Sequence, residues 1–223
     1  MIGASRAALL SRLCACTLAL AAPWAGAATS LDFDKVFTDR AEPAQTHYRA
    51  TYRVGTGEHR IEVWRDRELR VKRRTDDAIE TLVARPAGAL EWSMTVLDLK
   101  HRIRTDVART NLYRIGHFTD WFALAHSLTR PVGPYTLSAL PRADVPSAQP
   151  VAACRWFALT QGTRTSKICW STRQRVALVI SDAADAVQWQ VTSIDSRPLP
   201  EAVFSVDDRG FVRNDANQDI QAD

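Results

Sequence analysis

After residue 27 the sequence has no apolar run approaching the roughly 20 residues of a membrane-spanning helix. It also lacks a glycine-rich phosphate loop, a G-x-S-x-G elbow and an H-E-x-x-H pair, so three common routes to nucleotide, acyl-transfer and zinc chemistry have no footing. Charge of one sign is not in large excess. Lys and Arg total 29 against 25 Asp and Glu, and a net +4 is too mild to argue for nucleic-acid binding. Cysteine is scarce, with four in 223 residues. Internal repeats and low-complexity tracts are absent.

What is present reads as an exported, folded domain. Hydrophobic residues make up 46% and charged residues 24%, near the averages for a soluble globular chain. Residues 1–27 have the form of a secretory signal peptide. Arg6 and Arg12 precede the apolar run Leu13–Ala22, and Ala25-Gly26-Ala27 is an A-x-A-like cleavage site. The mature chain is expected to start at Ala28, in the periplasm. It keeps 196 residues (223 less 27), enough for one sizeable core. Leu13-Cys14-Ala15-Cys16 has some of a lipobox, but the apolar run follows the cysteine instead of preceding it, which disfavours lipidation.

Period-two alternation dominates the first half of the mature chain. Tyr48, Ala50, Tyr52 and Val54 alternate with Arg49, Thr51 and Arg53, and Ile61 and Val63 with Glu62 and Trp64. Similar runs follow at 69–74, 79–84, 92–97 and 102–107, and short connections predict an antiparallel meander. From Phe118 to Leu128 the period changes. Phe118, Trp121, Phe122, Ala125 and Leu128 fall on one helical face, with Thr119 as the expected N-cap and Pro131 as the stop. Runs at 135–140, 154–160, 163–170, 176–180 and 187–194 restore the strand pattern. Leu31–Asp39 is a candidate N-terminal helix, and the polar segment 207–223 reads as a loosely docked tail.

Cys14 and Cys16 leave with the signal, so Cys154 and Cys169 remain as an even pair in an exported chain. If Gln161-Gly162 is a two-residue turn, counting outward places these cysteines directly opposite each other. That register makes them a hydrogen-bonded pair. A bridge fits the closer, non-hydrogen-bonded pair better, so a bulge or longer turn would adjust it.

The order of an N-terminal helix, about six strands, a helical insertion and about four more strands resembles the LolA/LolB/RseB-like superfamily of periplasmic lipoprotein carriers and regulators. Arg85-Pro86-Ala87-Gly88 with Glu91-Trp92 is similar to the family's "RPG…W" strand opening. Leu97-Asp98-Leu99-Lys100-His101-Arg102-Ile103 is similar to its following hairpin, and Leu199-Pro200-Glu201-Ala202-Val203-Phe204 with Gly210 to its "LP…F…G" ending. The resemblance implies a mainly β, α+β fold: an antiparallel half-open β-barrel of about ten strands with a helical lid. It implies no catalysis and no cofactor. The ligand would be a lipid or the acyl chains of a lipoprotein, or, in the RseB-type alternative, an envelope protein bound or sensed. Peripheral membrane contact would be compatible with either.

Two residue sets are candidates for that role. Trp121, Phe122 and Leu128 would form a lid over acyl chains, or else belong to the permanent core. Arg49, Arg53, Arg70, Lys72, Arg74, Arg102 and Arg104 would make a basic face for anionic lipid or an acidic partner, or else a solvated face neutralised by Glu62, Glu80 and Asp106. The five histidines, His47, His59, His101, His117 and His126, show no metal-ligand spacing and are expected at exposed or capping positions. Asp120, His126 and Ser127 hold the residue types of a hydrolase triad, but adjacent helical residues point apart.

Overall fold

A computed structural model describes residues 30–67, 69–114, 120–141 and 154–216. The expected leader with Cys14 and Cys16, the cleavage site, and His117, Phe118 and Thr119 lie outside the described residues. A short helix α1 (Phe33–Val36) leads into six strands: β1 (Gln45–Val54), β2 (Gly57–Asp66), β3 (Arg70–Thr75), β4 (Ile79–Ala84), β5 (Ser93–Asp98) and β6 (Ile103–Ala108). Helices α2 (Arg109–Arg114) and α3 (Trp121–His126) follow. The chain returns through β7 (Thr136–Leu140), β8 (Arg155–Gln161), β9 (Arg164–Ser171), β10 (Val176–Asp182) and β11 (Val187–Asp195). A 3-10 turn (Glu201–Phe204) and β12 (Val212–Asp215) complete it.

All twelve strands belong to one sheet, in the order β12-β6-β5-β4-β3-β2-β1-β11-β10-β9-β8-β7. The fold is mainly β, with an open sheet of twelve strands where the sequence pattern predicts about ten. Neighbouring strands pair antiparallel except β12, which runs parallel to β6. That strand comes from the polar segment expected to be a loose tail. Its residues bury little, so they carry no apolar alternation, and only the edge of β6 gives them a ladder. β1 is the seam of the molecule, pairing with β2 on one side and with the distant β11 on the other.

Helices cover one face of the sheet, the inner face. Tyr48, Ala50, Ile61, Val63, Val71 and Val191 cluster with Ala125 of α3 there. Phe33 and Phe37 of α1 pack with Phe122, Phe157 and Trp170, and Leu124 joins Val83, Met94 and Val107. One two-turn helix thus closes onto three neighbouring clusters, which explains why its apolar side chains spread over more than one stripe.

Turn chemistry sets the register of two hairpins, and in the second it moves that register by a residue. Val54 pairs with Gly57, so the first hairpin turns at Gly55-Thr56, with Gly55 at φ +59°. Gln161 pairs with Arg164, so the β8–β9 hairpin turns at Gly162-Thr163, with Gly162 at φ +58°. Cys169 therefore faces Trp156, not Cys154. Cys154 sits just outside the ladder on the same face, and the chain brings the two Cα atoms to 5.4 Å, where the disulfide forms. Closing a separation of 15 residues contributes about 3 kcal/mol in the loop-entropy account. A disulfide is the chemistry of an oxidising compartment.

Candidate functional site

The inner-face alternation of β2 runs Ile61, Val63, Arg65, so the strand period that buries two aliphatic side chains buries a guanidinium next to them. Arg65 is fully enclosed. Its Nη1 donates to Ala125 O at 3.0 Å, and its Nη2 donates to Gln174 O at 2.7 Å and to Thr46 Oγ1 at 3.2 Å. Glu42 Oε2 lies 3.3 Å from Nη2 and supplies the counter-charge. Burial lowers the Arg65 pKa and Glu42 opposes that shift. The side chain ties the last turn of α3, the β9–β10 turn and the segment before β1 to a single point.

His126 completes this knot. It is buried, and its Nδ1 stands 2.5 Å from Arg175 O and 2.8 Å from Arg65 Nη1. Burial, with Arg65 alongside, pulls its pKa down to about 3. The expectation of an exposed or capping histidine is corrected here. Of the others, His47 stacks on Trp64 and bonds Glu62, while His59 and His101 bond Asp76 and Asp98.

A pH dependence follows from His126. In the unfolded chain it titrates near its ordinary value of about 6.5, so between there and about 3 the unfolded state binds the proton and the fold does not. Its contribution is complete above about 6.5 and is lost as the pH falls toward about 3. Between pH 6.5 and pH 5 the unfolding free energy should drop by about 2 kcal/mol from this group alone. Urea titrations across that range on the wild type and on His126→Gln should show a flatter profile for the variant.

Asp120, not Thr119, caps α3, its carboxylate accepting from Phe122 N at 3.0 Å. The helix is two turns long and ends at Ser127, which takes φ +54°, so it stops well before Pro131. Ser127 Oγ and Tyr48 Oη are hydrogen-bonded at 2.7 Å, holding that left-handed residue down. Asp120 and His126 therefore stand at opposite ends of the helix and Ser127 is bonded to a tyrosine. No hydrolytic triad assembles from them.

Of the lid candidates, Phe122 and Leu128 are 4% and 5% exposed and sit in the α1 cluster. Trp121 is half-buried, edge-on to Trp92 at 5.7 Å, with the Arg85 guanidinium 4.5 Å above its ring. Arg130 covers Phe122 at 4.4 Å and bonds both Asp34 and Asp120. Phe122 and Leu128 are packed, and arginines lie over the rings of Phe122 and Trp121. Beside them, between the 127–131 segment and β8–β10, lies a hollow of about 600 Å³. Leu159, Ile168 and Ile180 form its floor, and Arg130, Gln161 and Arg164 its rim.

The basic residues lie on the opposite, outer face, where most are engaged. Arg49 pairs with Glu62 at 2.7 Å. Lys72, nearly buried, pairs with Glu80 at 2.7 Å, and Arg74 with the same carboxylate at 2.9 Å. Arg70 bonds Asp66 and Glu201 and lies 4.4 Å over the Phe204 ring. Lys72 also donates to Ser205 O, Arg104 to Asp208, and Arg102 to Arg209 O. Arg70, Lys72, Arg102 and Arg104 thus form the bed on which the C-terminal segment crosses the sheet to reach β6. Gly210 belongs to that crossing, because a Cβ there would stand 2.7 Å from Arg102 Nη2. Arg53 lies exposed near the end of β1.

Arg65, Glu42 and the hollow were not singled out from sequence. The available signal for Arg65 was a charge at the inward position of an apolar alternation. Glu42 precedes the first strand and gives none.

No protein-family model matches the sequence, and no curated protein matches it. Among solved structures, this chain is similar to MucB at 12% identity and a TM-score of 0.39. It is similar also to a chain of the MucA/MucB complex of Pseudomonas aeruginosa, at 12% identity and a TM-score of 0.41. Each match covers 78% of this chain, which spans 61% and 59% of the matched chains, less than two thirds of either.

Proposed function

We propose that this chain is an RseB-like protein-interaction module of the bacterial envelope, acting by binding and without catalysis, and exported to the periplasm. MucB has been solved with a protein, MucA, and an envelope protein is proposed as the partner here too. The observation that carries the reading is the filled space beneath α3. Phe122 and Leu128 are core, and Arg65 and Tyr48 lock the helix that a carrier would have to lift. The partner's place is the hollow beside α3, whose apolar floor takes a side chain and whose Arg130 and Arg164 rim favours acidic flanks. A lipid remains the second reading, because the same floor of Leu159, Ile168 and Ile180 suits an acyl chain.

A photo-crosslinking residue at Arg164 in cells, with native mass spectrometry of the purified protein, separates the two. The proposal expects one discrete protein adduct, lost when Leu159→Arg fills the hollow, and no bound lipid. Co-purified lipid without a protein adduct would replace it with the carrier reading.

A further inference from the structure

The rim of the hollow beside α3 carries one uncommitted charge. Arg130 bonds Asp34 and Asp120 and covers the Phe122 ring, so its charge is already met inside the chain. Arg164 opens β9 at an exposed position, and among the described residues no carboxylate pairs with it. Gln161 stands beside it. The two face each other across the β8–β9 ladder, so their side chains share the face of the sheet that carries Leu159 and Ile168.

The Gln161 amide in turn donates to Val132 O. Val132 sits in Pro131-Val132-Gly133-Pro134, where two prolines fix φ and Gly133 takes φ +80°. Its side chain is 86% exposed, the most exposed large hydrophobic among the described residues. A single exposed valine is ordinary on a protein surface. This one is held on a stiff segment between Pro131 and the bond to Gln161, and both of those residues line the hollow.

The rim therefore runs Val132, Gln161, Arg164, with Leu159, Ile168 and Ile180 below it. Its complement is an apolar group at one end, an apolar group pointing down in the middle and one negative charge at the other end. Successive side chains of a peptide supply all of these. A lipid with its tail on the floor and its headgroup at Arg164 has no apolar group left for Val132.

We propose that the hollow takes a short acidic and apolar segment of a protein, with one apolar side chain on the floor, a second against Val132 and a carboxylate on Arg164. This rests on the reading of the hollow as the partner's place and adds the chemistry of the segment that fills it.

Random heptapeptides displayed on phage and selected on the mature, disulfide-bonded protein test it. The enriched sequences should combine two apolar residues with Asp or Glu toward one end. The strongest of them, synthesised with a fluorescent label, should bind R164E and V132D about tenfold more weakly than the wild type. Exchanging its acidic residue for Lys should restore binding to R164E and not to V132D. Both positions are exposed, so both variants should melt with the wild type, which separates a lost contact from a lost fold. Enriched peptides without an acidic residue, or peptides that R164E binds as well as the wild type does, would overturn the proposal and leave a partner at the hollow. Binding that Leu159→Arg leaves intact would overturn it together with the reading of the hollow. No enrichment over bare support would also overturn it, whereas the adduct at Arg164 in cells decides the parent reading separately.

Discussion

Replacing Arg65 with methionine should lower the unfolding free energy by about 3–5 kcal/mol, the cost of removing one partner from a buried ion pair. In a domain of this size that is a fall in melting temperature of about 6–20 °C. The loss has two parts. Glu42 is deprived of the guanidinium 3.3 Å away, and the carbonyls of Ala125 and Gln174 lose their donors in a site closed to water. Arg65→Lys should recover only part of the loss, because one ammonium cannot span Ala125 O on one side and Thr46 Oγ1 and Gln174 O on the other. Combining Arg65→Met with Glu42→Gln should be milder than the sum of the single changes, since neither charge is then stranded. Differential scanning calorimetry on the four variants checks this. Additive losses would mean that the pair is uncoupled and that the helix is held by packing alone.

Phe122→Ala should cost about 3–5 kcal/mol, the range for emptying a large aromatic site in a packed core. Its ring is 4% exposed, 6.1 Å from Phe33 and 6.2 Å from Trp170, with Arg130 above it. Trp121→Ala should cost less, because Trp121 is only half-buried and part of its ring already faces solvent. The contrast bears directly on function. A working lid would lose lipid affinity in both variants while keeping its melting temperature. Core residues lose the melting temperature, and the wild type shows no lipid titration to lose. Thermal melts run beside a fluorescent fatty-acid titration decide it. Saturable binding by the wild type, weakened in both variants without a change in melting, would return the helix to the role of a lid.

Much of this molecule was legible because its physics is local. Strands β1 to β6 announce themselves by a period of two, since each has one side chain in the core for each one outside. The amphipathic α3 shows its own period for the same reason, and the two cysteines outside the expected leader had one pairing available. Glycines at positive φ then set the turns, and a one-residue error at Gly162 was enough to place Cys169 opposite the wrong residue.

What the sequence by itself determined is therefore the class of the fold, the order of β1 to β11 along the chain and the pairing of Cys154 with Cys169. Only the tertiary structure decided what the polar residues do, because their partners are distant in sequence. Arg65 meets Ala125 and Gln174 across 60 and 109 residues, and Lys72 meets Ser205 across 133. A basic alternation on β3 looks the same whether it faces solvent or carries a strap. β12 buries nothing that would mark it as a strand, and it becomes one because β6 offers an open ladder. Hydrophobic periodicity encodes which way a side chain points, but the charge it will meet is fixed by how the far ends of the chain come together.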